Sequence, residues 1–188
     1  NWDSSQMGIC SLSYIIPNKY IDDNKKILAL DFDLTLTDIH TQGHIKQTQL
    51  YWYSSTNLNQ LVNCLHKFKN SGWKIYIVSR GIENDIIQYL TKLNIIGLFD
   101  GIYGAKNFSH LGENTSLWSK YKTEYLNHII SMNDAKKENL YFIDDTEENI
   151  IFAKSSGYSN SIHLSAIGIS SIMLLSVLEK ILLIKKIF

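Results

Sequence analysis

The chain has 188 residues, with 18 Lys+Arg against 18 Asp+Glu and a formal net charge of zero. That length accommodates one domain, taken as residues 1–188, with an ample core, and the balanced charge lacks the positive footprint of a nucleic-acid binder. Cys10 and Cys64 are too few for a disulfide framework and form no C-x-x-C pair, so a thiol-stapled module is excluded and reducing surroundings are expected.

Residues 1 to 20 lack a basic start followed by an apolar core, so no signal peptide is read there and a cytoplasmic setting is expected. Pro17 stands before the first strand, near 26–32, whose apolar run Ile27-Leu28-Ala29-Leu30 has the character of a buried parallel strand. Apolar residues at helical spacing (Leu58, Leu61, Val62, Leu65, Phe68) predict a helix over 57–70, and the same helix encloses Cys64. A strand over 74–79, a helix over 83–94 and a short strand near 99–103 follow. Next come a helix over 116–132, a strand over 140–144, a helix over 147–156, a strand near 161–165 and a final helix over 170–186. Alternation of strands with helices predicts an α/β fold: a three-layer, Rossmann-like parallel sheet with helices on both faces. Gly72 and Gly157 close helices at Asn70-Ser71-Gly72 and Ser155-Ser156-Gly157.

Polar groups gather at strand ends. The first strand runs into Asp31-Phe32-Asp33-Leu34-Thr35-Leu36-Thr37-Asp38. Ligands of open α/β sheets bind at the carboxyl ends of strands. Asp31 and Asp33 share one site only if the chain leaves the strand at once, because alternate residues of a strand face opposite ways. Thr35 and Thr37 can steady such a loop. Two close carboxylates call for a cation, and Mg2+ is the usual hard partner of oxygen ligands. The second strand ends in Ser79-Arg80-Gly81, Lys120 and Lys122 open a helical stretch, and the fourth strand ends in Asp144-Asp145-Thr146. A nucleophile, a hydroxyl, a cation and further carboxylates are the parts phosphoryl transfer requires. Taken singly, D-x-D also fits a capped loop, Ser79 a helix N-cap, Arg80 a helix-start surface residue and any one Lys a solvated side chain.

In order, ILALDFDLT, IYIVS, Lys122 and YFIDDTEEN resemble the four motifs of the haloacid dehalogenase-like (HAD) superfamily over residues 27 to 149. The resemblance implies that Asp31 is a nucleophile forming an aspartyl-phosphate and that Asp33 is the general acid/base. It implies that Thr35 steadies the loop and lies in the phosphate-binding set, that Ser79 bonds a phosphoryl oxygen and that Lys122 is the motif cation, catalytic and phosphate-binding. The metal ligands it implies are Asp31, the Asp33 carbonyl and Asp145, with Asp144 a further ligand or an orienting group. Asn149 takes the slot of a later Asp. Lys120 competes with Lys122 for the motif position, Lys106 stands third, and Arg80 is a candidate phosphate contact. A second Asp in the first motif favours phosphate chemistry over carbon–halogen cleavage.

Relatives often carry an inserted cap. Between Asp33 and Ser79 the predicted helix and strand leave too little chain for an independent domain, and the interval before Lys122 is also short, so the chain resembles the capless branch. An open site admits macromolecular phosphoesters. The expected activity is a Mg2+-dependent phosphatase acting on a phosphorylated protein, with phosphotyrosine as the first case. A polynucleotide or nucleotide phosphatase is the alternative within that class, and a non-catalytic HAD-like interaction module the alternative outside it. His40, His44 and the Tyr51-Trp52-Tyr53 run are expected to rim the site, either meeting substrate or packing the loop. The apolar stretch 170–188 is interrupted by Glu179 and Lys180. It fits a helix covering the sheet, or an exposed face for a membrane, a protein partner or a further region.

Overall fold

A computed structural model describes residues 25–45, 55–165 and 169–187. Strands β1 (Ile27–Leu30), β2 (Lys74–Ile82), β3 (Gly101–Ala105), β4 (Leu140–Asp144) and β5 (Ser161–His163) form one sheet in the order β3-β2-β1-β4-β5. Every pairing is parallel. The helices are α1 (Ser55–Asn70), α2 (Glu83–Lys92), α3 (Phe108–Leu111), α4 (Thr115–Asn133), α5 (Glu147–Ser155) and α6 (Ser170–Ile187).

The two-residue period of the strands divides the interior. On β1, Leu28 and Leu30 join a core with Leu61, Leu65 and Phe68 of α1, Ile86 and Leu90 of α2, and Leu174 and Leu178 of α6. Ile27 and Ala29 join a second core with Leu126 and Ile129 of α4 and Ile150 and Ala153 of α5. Adjacent strand residues face opposite sides of a sheet, so one buried strand feeds both cores, and burial on both faces explains its unbroken apolar run. The expected three layers are present. Gly72 and Gly157 take positive φ (86° and 100°) where α1 and α5 end, a conformation glycine adopts without steric cost.

The structure extends two expectations. β2 continues past Ser79 to Ile82, with a register irregularity between Val78 and Ile82, so Arg80 lies on the strand and not at a helix start. The short helix α3, held by the Asn107 side chain accepting from the His110 N–H, comes just ahead of α4. In the described residues no inserted domain occurs at either expected position. Pro17, Cys10 and Tyr51-Trp52-Tyr53 lie outside the described residues. α6 packs Leu174, Leu178 and Ile181 inward while Ile172, Leu183 and Ile184 stay exposed. No helix among the described residues is long and apolar enough to cross a membrane.

Candidate active site

Register sets the site. Leu30 pairs with Ile77 on one side and Ile143 on the other, so Asp31 and Asp144 emerge level with each other, and Ser79 and Asp145 follow one residue beyond that level. The Asp31 N–H donates to the Ile143 carbonyl at 2.9 Å, and regular pairing stops there. Phe32–Leu36 then form an irregular turn in which Asp33 is extended and Leu34 left-handed (φ 54°). That break in the alternation brings Asp33 to the same cleft as Asp31. The Asp33 carboxylate is gripped by Thr41, whose N–H and hydroxyl both donate to it at 2.8 Å.

The cleft holds about 350 Å³ and is lined by Asp31, Asp33, Ser79, Arg80, Lys122 and Asp145, with Asn149 nearby. Lys122 Nζ donates to Asp31 Oδ1 at 2.9 Å and to Asp144 Oδ2 at 2.6 Å. Lys120 and Lys106 are exposed, and Lys106 pairs with Glu83. Asp144 is fully buried and does not line the cleft: Oδ1 accepts from the Thr146 N–H at 2.8 Å, and Oδ2 also accepts from Asn149 Nδ2 at 3.1 Å. Asn149 is in turn fixed by the Ser119 hydroxyl at 2.8 Å. Thr35 is buried behind Asp31, its hydroxyl 3.5 Å from Oδ2, and is not part of the lining. Ser79 Oγ accepts from the Gly81 N–H at 2.9 Å. It caps no helix, because Ile82 precedes α2. Arg80 donates to the Glu113 carbonyl at 2.6 Å and to the Thr115 hydroxyl at 3.4 Å.

Burial dominates the electrostatics. It pushes Asp31 up to about 7, against the pull of Lys122 and with help from Asp145. It pushes Asp144 up to about 6, with the Asp31 charge acting the same way. Asp33 and Asp145 are raised for the same first reason. Burial works against the Lys122 ammonium, but Asp144 and Asp31 outweigh it and hold the group firmly protonated. Among the described residues, Asp31, Asp144 and Asp145 have ligand oxygens within 4.8 Å of one another. Three carboxylates against one ammonium leave two negative charges uncompensated when all are ionised. An all-oxygen donor set with that deficit fits a small divalent cation, whose ligands sit about 2.1 Å from the metal.

One wall escaped the sequence reading. Thr115 and Trp118 stand on the face of α4 that carries Lys122, and Leu111 at the end of α3 continues it into the cleft. The Asn114 side chain accepts from the Leu117 N–H and starts that helix. An Asn cap followed by residues at three- and four-residue spacing was the available signal. His40, Gln42 and Gly43 also line the cleft. His40 Nδ1 lies 3.9 Å from Asp33, whereas His44 turns away to pair with Asp85 and to meet the Phe108 ring.

The model of the haloacid dehalogenase-like hydrolases matches residues 35–161. The chain belongs to that family. Asp31 and Asp33 stand just ahead of the matched span, and the fold brings them to its cleft. No curated protein matches the chain in sequence. The HAD-like architecture recurs in solved structures. A Listeria monocytogenes serotype 4b protein is 19% identical, with TM-score 0.57, over 86% of this chain and 99% of that one. The core domain of a candidate phosphoglycolate phosphatase from Streptococcus pneumoniae TIGR4 is 15% identical, with TM-score 0.52, over 85% and 96%. The HAD domain of effector protein Lem4 from Legionella pneumophila is 19% identical, with TM-score 0.53, over 85% and 94%.

Proposed function

We propose that this HAD-like hydrolase is a Mg2+-dependent phosphomonoesterase that works through an aspartyl-phosphate on Asp31. The reading rests on one observation: Asp31, Asp33, Lys122 and Asp145 converge on a single cleft, beside the Ser79 hydroxyl. An Asp31 oxygen attacks phosphorus and the bond from phosphorus to the leaving oxygen breaks, while Asp33 gives that oxygen a proton. Asp33 then takes a proton from water, which attacks the acyl-phosphate and releases inorganic phosphate and the Asp31 carboxylate. Ser79 and Lys122 hold the phosphoryl oxygens. Arg80, already oriented by Glu113 and Thr115, meets the substrate at the mouth. Asp31, the Asp33 carbonyl and Asp145 hold the metal, and Asp144 orients Lys122. A bound Mg2+ offsets the phosphoryl charge.

The substrate we propose is a phosphorylated protein, with phosphotyrosine as the first case. Support comes from a cleft over which the described residues place no inserted domain, and from the apolar wall of Leu111 and Trp118, which suits an aryl group. Nucleotides and phosphorylated oligonucleotides are the runner-up. The test is a panel of phosphopeptides, nucleotides, 3′- and 5′-phosphorylated oligonucleotides and phosphoglycolate, run with Mg2+ and with chelator. Phosphopeptides should release phosphate fastest, only with metal, and Asp31→Asn should abolish it. Mg2+-dependent release from none of them would sink the reading.

A further inference from the structure

Asp38 leaves the turn that carries Asp33, and its carboxylate reaches the first turn of α6. Ser171 donates to it twice, from its N–H to Oδ1 at 2.7 Å and from its hydroxyl to Oδ2 at 2.8 Å. Ser171 is buried. An exposed aspartate near a helix start is usually worth only a modest cap. This one differs in where its own backbone goes. On one side of it, Thr37 donates from its hydroxyl to the Phe32 and Ile39 carbonyls, and the Leu34 N–H donates to Ile39. On the other side, three residues on, Thr41 grips both oxygens of Asp33. The chain from 37 to 41 is therefore a strap tied to the turn at one end and to the Asp33 carboxylate at the other. Its middle is fastened to α6. The helix is a firm anchor, because Leu174 and Leu178 share a core with Phe32 and Leu36 of the turn itself.

We propose that the Asp38–Ser171 clip is a positioning device for Asp33, holding the strap so that Thr41 keeps the carboxylate aimed at the leaving oxygen. This rests on the reading of Asp33 as the acid that protonates that oxygen. A loosened strap would leave the nucleophile untouched and harm only the proton transfer. An alkyl phosphate has a poor leaving group and needs that proton, whereas a nitrophenyl phosphate leaves readily without it. Comparing kcat/KM on the two isolates the first step, since breakdown of the common aspartyl-phosphate does not enter it.

The experiment measures kcat/KM for an alkyl phosphate and for nitrophenyl phosphate with the wild-type chain and with Asp38→Ala, Ser171→Ala, Asp38→Asn and Ser171→Thr. General acid catalysis is worth roughly 10²–10⁴-fold when lost outright. The two alanine variants should therefore lose about tenfold or more on the alkyl ester and less than about threefold on the nitrophenyl ester. Asp38→Asn and Ser171→Thr, which keep a bonding partner, should restore most of the ratio. The ratio is internal to each preparation, so a partly unfolded variant lowers both values and leaves it unchanged. Equal losses on both esters, or no loss on either, would overturn the clip. A wild-type chain inactive on both esters would instead remove the acid role of Asp33, and the inference with it.

Discussion

Lys122 holds two buried carboxylates on one buried ammonium. Removing one partner of a buried pair costs about 3–5 kcal/mol, because the remaining charge is stranded. Lys122→Met strands both Asp31 and Asp144. It should lower stability to urea by about that amount in chelator, and activity with it. Asp31→Asn acts in the opposite sense, since it removes a buried negative charge that Asp144 and Asp145 already crowd. The variant should be inactive yet melt no lower than the wild-type chain in chelator. Urea and thermal unfolding of the two variants side by side would check both outcomes. A Lys122→Met protein as stable as the wild type would mean that this lysine does not balance the acids.

Between elements, the segment just past the strap meets α3 at one glycine. Gly43 has φ +82°, and a Cβ there would lie 2.3 Å from Leu111 Cδ1. The Gly43 carbonyl also accepts from the Ile82 N–H at 2.8 Å, so this segment cannot simply swing out. Gly43→Ala therefore meets two separate obstacles: a left-handed backbone, worth about 1 kcal/mol, and a clash with a side chain. The double variant Gly43→Ala/Leu111→Ala should recover the clash component alone. A thermodynamic cycle by chemical denaturation measures the two parts, and simple additivity of the two single effects would contradict contact across the cleft. Ser79 and Arg80 illustrate the same scale. The register irregularity between Val78 and Ile82 breaks the strand alternation and lets both line the cleft, which no local propensity indicated.

For the molecule as a whole, the acidic cluster should couple folding to pH and, where it binds a metal, to that metal. Asp31 and Asp144 titrate near about 7 and 6 in the folded chain, above the ordinary carboxylate range. Between roughly pH 4 and 7 the folded state keeps protons that the unfolded state has lost, so stability falls as pH rises through that window. In chelator the melting temperature should drop from pH 5 to pH 8, with each kcal/mol moving it by about 2–4 °C at this size. Mg2+ favours the ionised acids and should flatten or reverse the trend. A melting temperature that ignores both would argue against a metal centre. The fold and the acids were legible in sequence because each is a local fact. Two-residue and helical periodicities mark elements, and Asp31, Asp33, Ser79, Asp144 and Asp145 lie at or near the carboxyl ends of strands, where a parallel sheet gathers its ligand-binding groups. Helical spacing to Leu126 and Ile129 favoured Lys122 over Lys120 in the sequence, and the fold puts Lys122 against Asp31 and Asp144 while Lys120 is exposed. The α3–α4 wall, the grip of Thr41 on Asp33 and the fastening of Asp38 to Ser171 were decided by tertiary structure alone. Each joins residues whose partners lie on other elements, and side-chain identity in a sequence carries no record of the distance across a fold.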